Sequence, residues 1–245
     1  MTRMRALVAL LALAAAAYAG QPYDRNVEAA LAVFRSGNAG GELEDARDRM
    51  VANFKKAGPR YRTAALRGIG AQFNRKLKRS EEYLEVAAET LARCGNAGLR
   101  ELKQQWSANK SRPTGRRAIV RGWARSENPK ALKHILDPGL WDKNRYVSEA
   151  AIKGCANFTQ VKVGTRKKTL QKLIERYKRV TDAAAGKPAK SKEAQAYTLL
   201  KPALNETLAV LSGGENFDSA LAWAEWFKQF STKKLPPLGD TPKQG

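Results

Sequence analysis

Arg67, Arg121 and Lys153 hold the same place in three copies of one short pattern: Ala65-Leu66-Arg67-Gly68-Ile69-Gly70, Ile119-Val120-Arg121-Gly122-Trp123-Ala124 and Ala151-Ile152-Lys153-Gly154-Cys155-Ala156. A row of guanidinium and ammonium groups at regular spacing is chemistry for holding an extended anion, because an arginine fork matches the oxygens of phosphate or carboxylate. Arg117 and Arg125 flank Arg121 at four-residue spacing, which widens the strip on one helical face. Arg67, Arg117, Arg121, Arg125 and Lys153 are therefore the candidate binding residues. The bland alternative is a solvated basic face that does no more than keep the protein soluble. Of five tryptophans, Trp141 lies in a turn between Pro138-Gly139 and Asp142, and is the best placed to be exposed for stacking on a ligand.

Reaction chemistry has little to stand on. A hydrolytic triad needs a base beside a nucleophile, and the chain has one histidine, His134, at a helical position more often packed than catalytic. The sequence contains no glycine-rich phosphate loop, no His-Glu-x-x-His and no paired cysteine motif. Glu89 and Glu225 stand close to apolar stripes, where a glutamate is normally solvated. No catalytic residue, no metal ligand and no cofactor is assigned. Cys94 and Cys155 are too few for a disulfide framework.

The elements that position these groups read as helices throughout. Apolar residues recur at three- and four-residue spacing, and no segment alternates as a strand does. Asp24 caps a helix to about Phe34, and Gly40-Gly41 precedes a second over 42–56. Gly58-Pro59 breaks the chain before a helix over 60–77, and Ser80 opens another ending at Gly95-Asn96. Further helices are expected at 97–108, 114–125, 129–136, 144–158, 165–182, 193–212 and 218–230, about eleven in all. Weaker copies of the hexamer begin at Thr90 and Thr207, so the starts lie 25, 29, 32 and 56 residues apart, and the last interval is about two periods. Self-similarity at this period predicts an all-α chain built as an α-solenoid of stacked helical pairs, with small Gly, Ala and Cys positions where backbones approach. In such a stack Arg67, Arg121 and Lys153 fall in line. Cys94 and Cys155 then lie on the order of 20 Å apart, far beyond bridging distance, and stay as buried free thiols.

The copies at 61–70, 116–124 and 146–156, the middle one followed by Asn128-Pro129-Lys130-Ala131-Leu132, resemble bacterial HEAT repeats of the short kind. The segment 208–230, with Gly213-Gly214-Glu215-Asn216-Phe217-Asp218 leading into Trp223 and Trp226-Phe227, is similar to the closing segment of exported HEAT-repeat proteins of planctomycete type. The resemblance covers roughly residues 43–230. It implies a scaffold and binding role, with the second helix of each pair on a concave side. One departure stands out: the 25-residue first interval leaves little room for a full helix between Phe73 and Arg79. Phycobilin lyases and alkylpurine DNA glycosylases are catalytic HEAT-like families, and no catalytic motif of either matches here.

Met-Thr-Arg-Met-Arg followed by an apolar run from Ala6 and by Ala17-Tyr18-Ala19 reads as a signal peptide over 1–19, too short to span a membrane. This predicts an exported protein of the periplasm, cell envelope or extracellular space, with no transmembrane segment in the mature chain. The chain carries 45 basic and 23 acidic residues, and loss of the leader leaves about twenty excess positive charges. Such a field gathers polyanions. Outside the cell, the expected partners are an acidic protein, an anionic lipid or an acidic glycan. Nucleic acid is the alternative, for a nucleic-acid-binding or DNA-repair protein whose leader is really a cytoplasmic helix. A second cluster, Lys162, Arg166, Lys167, Lys168, Lys172, Arg176, Lys178 and Arg179, is expected to point outward, as a solvated face or a landing strip on an anionic membrane. The organisation reads as HEAT-like repeats over 20–182, a basic loop at 183–192, a C-terminal repeat and cap over 193–232, and a disordered tail from 233. The functional expectation is an exported, non-enzymatic binding scaffold.

Overall fold

Helix boundaries follow the local chemistry of their ends. Pro22, Pro59 and Pro113 open three helices, where a missing N–H costs nothing. Ser80, Asn144, Ser191 and Ser219 open four more, each side chain accepting from a backbone N–H of the first turn. Gly37 and Gly213 close two helices in the left-handed conformation that only glycine adopts at no cost.

The computed structural model describes residues 21–37, 40–126, 128–230, 235 and 238. The predicted leader and most of the predicted tail lie outside them. Leu235, within that tail, is buried against the core. Among the described residues the chain forms eleven α-helices and no strand. These are α1 (Pro22–Ser36), α2 (Gly41–Phe54), α3 (Pro59–Gly70), α4 (Glu81–Arg93), α5 (Asn96–Ala108), α6 (Pro113–Arg125), α7 (Ala131–His134), α8 (Arg145–Cys155), α9 (Val163–Ala184), α10 (Lys192–Ser212) and α11 (Ala220–Lys228). No helix among the described residues is long and apolar enough to cross a membrane.

Alternate helices are neighbours. Each of α2, α4, α6, α8 and α10 packs against the next, and α3 packs against both α1 and α5. The two sets face each other through α1 on α2 and through α3 and α5 on α4. Farther along, α7 packs on α6, α9 on α10 and α11 on α9. Between them lies a continuous core that includes Phe34, Met50, Leu84, Leu91, Ile119, Trp123, Ile152, Leu173, Leu204 and Trp223.

Glycine sets the closest approach within the first set. A Cβ on Gly122 would lie 2.3 Å from the Ala88 Cβ, and one on Gly154 would lie 2.8 Å from the Ala124 Cβ. Ala88, two residues before the Thr90 copy, therefore meets Gly122 of α6 as Ala124, the last residue of its own copy, meets Gly154 of α8.

Three predicted elements differ. The helix expected over 60–77 stops at Gly70, and two 3-10 turns follow, Ala71–Phe73 and Arg75–Leu77. Arginines tie these turns down: Arg112 donates to the Phe73 and Arg79 carbonyls, and Arg79 donates to the Gln72 side-chain oxygen and to the Arg35 carbonyl of α1. The helix expected over 129–136 is one turn, α7, continued by a π-turn over Ile135–Gly139 that contains Pro138. Asp24 is not a cap; its carboxylate accepts from Gly58 N at 2.7 Å and ties α1 to the turn before α3.

Candidate functional site

On α4, Glu81, Glu85 and Glu89 recur at four-residue spacing and form an acidic stripe. Opposite them on α6 stand Arg117, Arg121 and Arg125 at the same spacing. Arg117 binds the Glu81 carboxylate with two nitrogens. Arg121 pairs with Glu85 and lies 3.4 Å from Glu81. Arg125 lies 3.1 Å from Glu85. Arg47 of α2, at 3.5 Å, and Arg93, at 3.0 Å, hold Glu89 from the other side. The result is an ion-pair ladder across α2, α4 and α6.

Burial decides what this ladder does. The Glu85 and Glu89 side chains are 7% and 4% exposed, whereas Arg121 and Arg125 are 44% and 51% exposed. Carboxylates that deep must be paired or pay heavily for lost hydration. The Glu81 carboxylate, hydrogen-bonded to Arg117, raises the guanidinium's pKa and fixes it in its charged form. Glu89, expected to be solvated, lines instead a cleft of about 440 Å³ with Arg93, Arg125 and Asn157.

Of the residues singled out from the sequence, Arg117, Arg121, Arg125 and Lys153 come together on adjacent α6 and α8. Lys153 pairs with Glu149 of its own helix at 2.8 Å. Arg67 does not join them: it is exposed on α3, in the other set of helices. The reason is the short first interval, since residues 65–70 are followed by 3-10 turns and not by a complete first helix. Trp141 is half-buried against the core, with the guanidinium carbons of Arg179 and Arg176 at 4.7 and 5.6 Å from its ring centroid. Its ring is already stacked.

The basic cluster of α9 is also partly spent inside the fold. Arg166 is buried, Lys172 pairs with Asp137 at 2.5 Å, Arg179 pairs with Glu175 and Arg176 donates to the Ser148 hydroxyl. Arg116 makes a two-pronged bond to Asp142, at 2.7 and 2.9 Å.

Lys162, Lys168 and Lys178 of that cluster stay exposed with no ion pair among the described residues, and a second group of unspent cations lies on α3, the turns after it and α5. Residues 55–80 contain nine lysines and arginines and no acid. Arg60, Arg67, Arg75, Lys76 and Lys78 of this run are exposed, as are Arg100, Lys103 and Lys110 on and after α5. None of these eight pairs with a carboxylate among the described residues. On α3, Arg60, Ala64 and Arg67 are exposed at helical spacing, so two arginines share the outward stripe. The only carboxylate of neighbouring α5, Glu101, is half-buried and accepts from Gln105. A cleft of about 420 Å³ lies between the ends of α3 and α5 and is lined in part by Arg75, Gln105, Asn109 and Arg112. The repeat pattern does not point to this surface; the acid-free run is the signal that does.

Other chemistry is sparse. No group of three or more metal-ligating residues occurs among the described residues. Cys94 and Cys155 are buried, unbridged and pushed up to about 12 by burial. His134 stacks on buried Trp123 at 5.3 Å, and Trp106 stacks on the same indole at 5.5 Å. Burial, with Lys103 and Lys133 nearby, lowers the His134 pKa.

The fold and these sites define a basic, all-helical chain whose described residues combine one internally neutralised face with exposed cations that no carboxylate among the described residues pairs. Comparison with known proteins yields no matching family model, no similar characterised sequence and no similar solved structure.

Proposed function

We propose that this chain is an exported, non-enzymatic binding scaffold, a HEAT-like α-solenoid of helical pairs whose basic surface docks an acidic partner. The packing of alternate helices supports the solenoid, because a stack of two-helix units requires those contacts. The leader-like residues 1–19 support export. The observation that carries the binding role is the set of exposed cations on α3, the turns after it and α5, which no carboxylate among the described residues pairs. This surface replaces the α6 strip as the docking face, since an incoming anion would have to displace Glu81 and Glu85 from Arg117, Arg121 and Arg125. Charge left unpaired on one side of a protein is a field for capturing polyanions.

Heparin affinity chromatography tests the assignment with two variants of equal net charge. One carries Arg60→Glu, Arg67→Glu, Arg100→Glu and Lys103→Glu; the other carries Lys168→Glu, Lys178→Glu, Lys190→Glu and Lys192→Glu. The first is expected to elute at clearly lower salt than the second, because retention tracks the number of phosphate- or sulfate-type contacts made. Equal elution would mean that only net charge matters and that no docking surface exists there.

A further inference from the structure

Leu77 is one of the few large apolar side chains the fold leaves in water, at 44% exposed, and it sits inside Arg75-Lys76-Leu77-Lys78. The turn that presents it is firmly built. Asn74 accepts from Lys76 N at 3.0 Å, Lys78 closes the turn with a φ of 48°, and Arg112 holds the flanking Phe73 and Arg79 carbonyls. A leucine displayed at a turn between three cations is poorly matched to bulk water. It is well matched to an interface where an anionic layer overlies an apolar one.

We infer that this turn is a docking element for anionic phospholipid bilayers, with Arg75, Lys76 and Lys78 in the head-group layer and Leu77 reaching the acyl boundary. The inference rests on the basic-scaffold reading above and names the ligand of that same surface. Arg60 and Arg67 on the outward stripe of α3 extend the cationic patch, and no acid between residues 55 and 80 opposes the approach. A lipid surface suits this arrangement better than nucleic acid or an acidic protein. A phosphate backbone offers the leucine no apolar layer, and the turn exposes no aromatic ring for a base to stack on. Basic residues near an anionic leaflet and an apolar anchor reinforce one another in interfacial binding.

The experiment is co-sedimentation of the mature chain with vesicles of equal parts phosphatidylglycerol and phosphatidylcholine, and with vesicles of phosphatidylcholine alone. Binding is expected only to the first. Leu77→Ser leaves the charge unchanged and should weaken binding about fivefold to tenfold, the loss of a partly inserted leucine. Lys76→Gln with Lys78→Gln should weaken it by about tenfold or more. Heparin retention of Leu77→Ser should match that of the parent, and thermal unfolding should confirm that this exposed substitution leaves the fold intact. Vesicle binding indifferent to Leu77, or heparin retention without vesicle binding, overturns the lipid assignment and leaves the basic scaffold standing. Loss of both activities in the parent chain overturns the two together.

Discussion

Replacing Gly122 by alanine tests the close contact between α4 and α6. The added methyl would lie 2.3 Å from the Ala88 Cβ and 2.6 Å from both the Ala88 carbonyl carbon and Glu89 N. Carbon atoms rest at about 3.5 to 4.0 Å, so α4 and α6 must part by more than an ångström. Two of the three obstructing atoms are backbone, which cannot rotate aside. The helix itself would gain about 1 kcal/mol from losing a glycine. Overpacking a close contact costs about 1 to 3 kcal/mol, and here the upper end applies. Separation would also lengthen the Arg117–Glu81 and Arg121–Glu85 pairs while their carboxylates stay buried. The net expectation is a loss of about 2 kcal/mol, equivalent to a fall in melting temperature of about 4 to 8 °C in a chain of this size. Gly164 in the first turn of α9 is the control, because nothing lies within 4 Å of its would-be Cβ. Gly164→Ala should leave stability unchanged or raise it by up to about 1 kcal/mol. Urea unfolding followed by helical circular dichroism measures both. A Gly122→Ala protein as stable as the parent would show that α4 and α6 do not meet at this distance, and the ladder built on their approach would lose its geometry.

His134, the only histidine, makes a clean pH probe. Its pKa is lowered in the folded state by burial, Lys103 and Lys133, so below the unfolded value of about 6.5 the unfolded chain takes up the proton first. Stability should therefore fall as pH drops from 7.5 towards 5.5, and His134→Gln should flatten that part of the profile; an unchanged slope would refute it. Cys94 and Cys155, with thiols pushed up to about 12, should resist a thiol-specific disulfide reagent at pH 8 and yield two equivalents once the chain is unfolded in denaturant. Rapid reaction of the native protein would contradict their burial.

Helices were legible because their signals are local. Apolar spacing, Ser80 before α4 and Pro59 at the start of α3 each act within a few residues. The premature end of the third helix was not, because its cause is distant. Arg112, which comes from another helix boundary, donates to the Phe73 carbonyl that a continuing helix would have satisfied itself, and Arg79 ties the turn to the Arg35 carbonyl of α1. The candidate site failed for a related reason. The spacing of Arg117, Arg121 and Arg125 correctly put them on one face, but periodicity says nothing of what stands opposite. Glu81, Glu85 and Glu89 repeat with the same period one helix away in the row, and the two stripes find each other only in three dimensions.

Charge in this protein therefore divides by role. Arginine does most of the internal work. Arg116 holds Asp142 and the Asn109 and Lys110 carbonyls, Arg79 and Arg112 close the turns after α3, and Arg47, Arg93, Arg117, Arg121 and Arg125 hold three glutamates. A planar fork with five donors can satisfy several acceptors at once, which a lysine cannot. Cations so engaged add to the net charge of +22 without being available to a partner. Residues 102–126 hold seven bases and no acid, as 55–80 hold nine, yet the α6 arginines among them are paired with Glu81 and Glu85; availability is set by what stands opposite in the fold. A binding surface in this protein is thus found by asking which cations the fold leaves without a carboxylate opposite, and neither the repetition of arginines nor an acid-free run answers that alone.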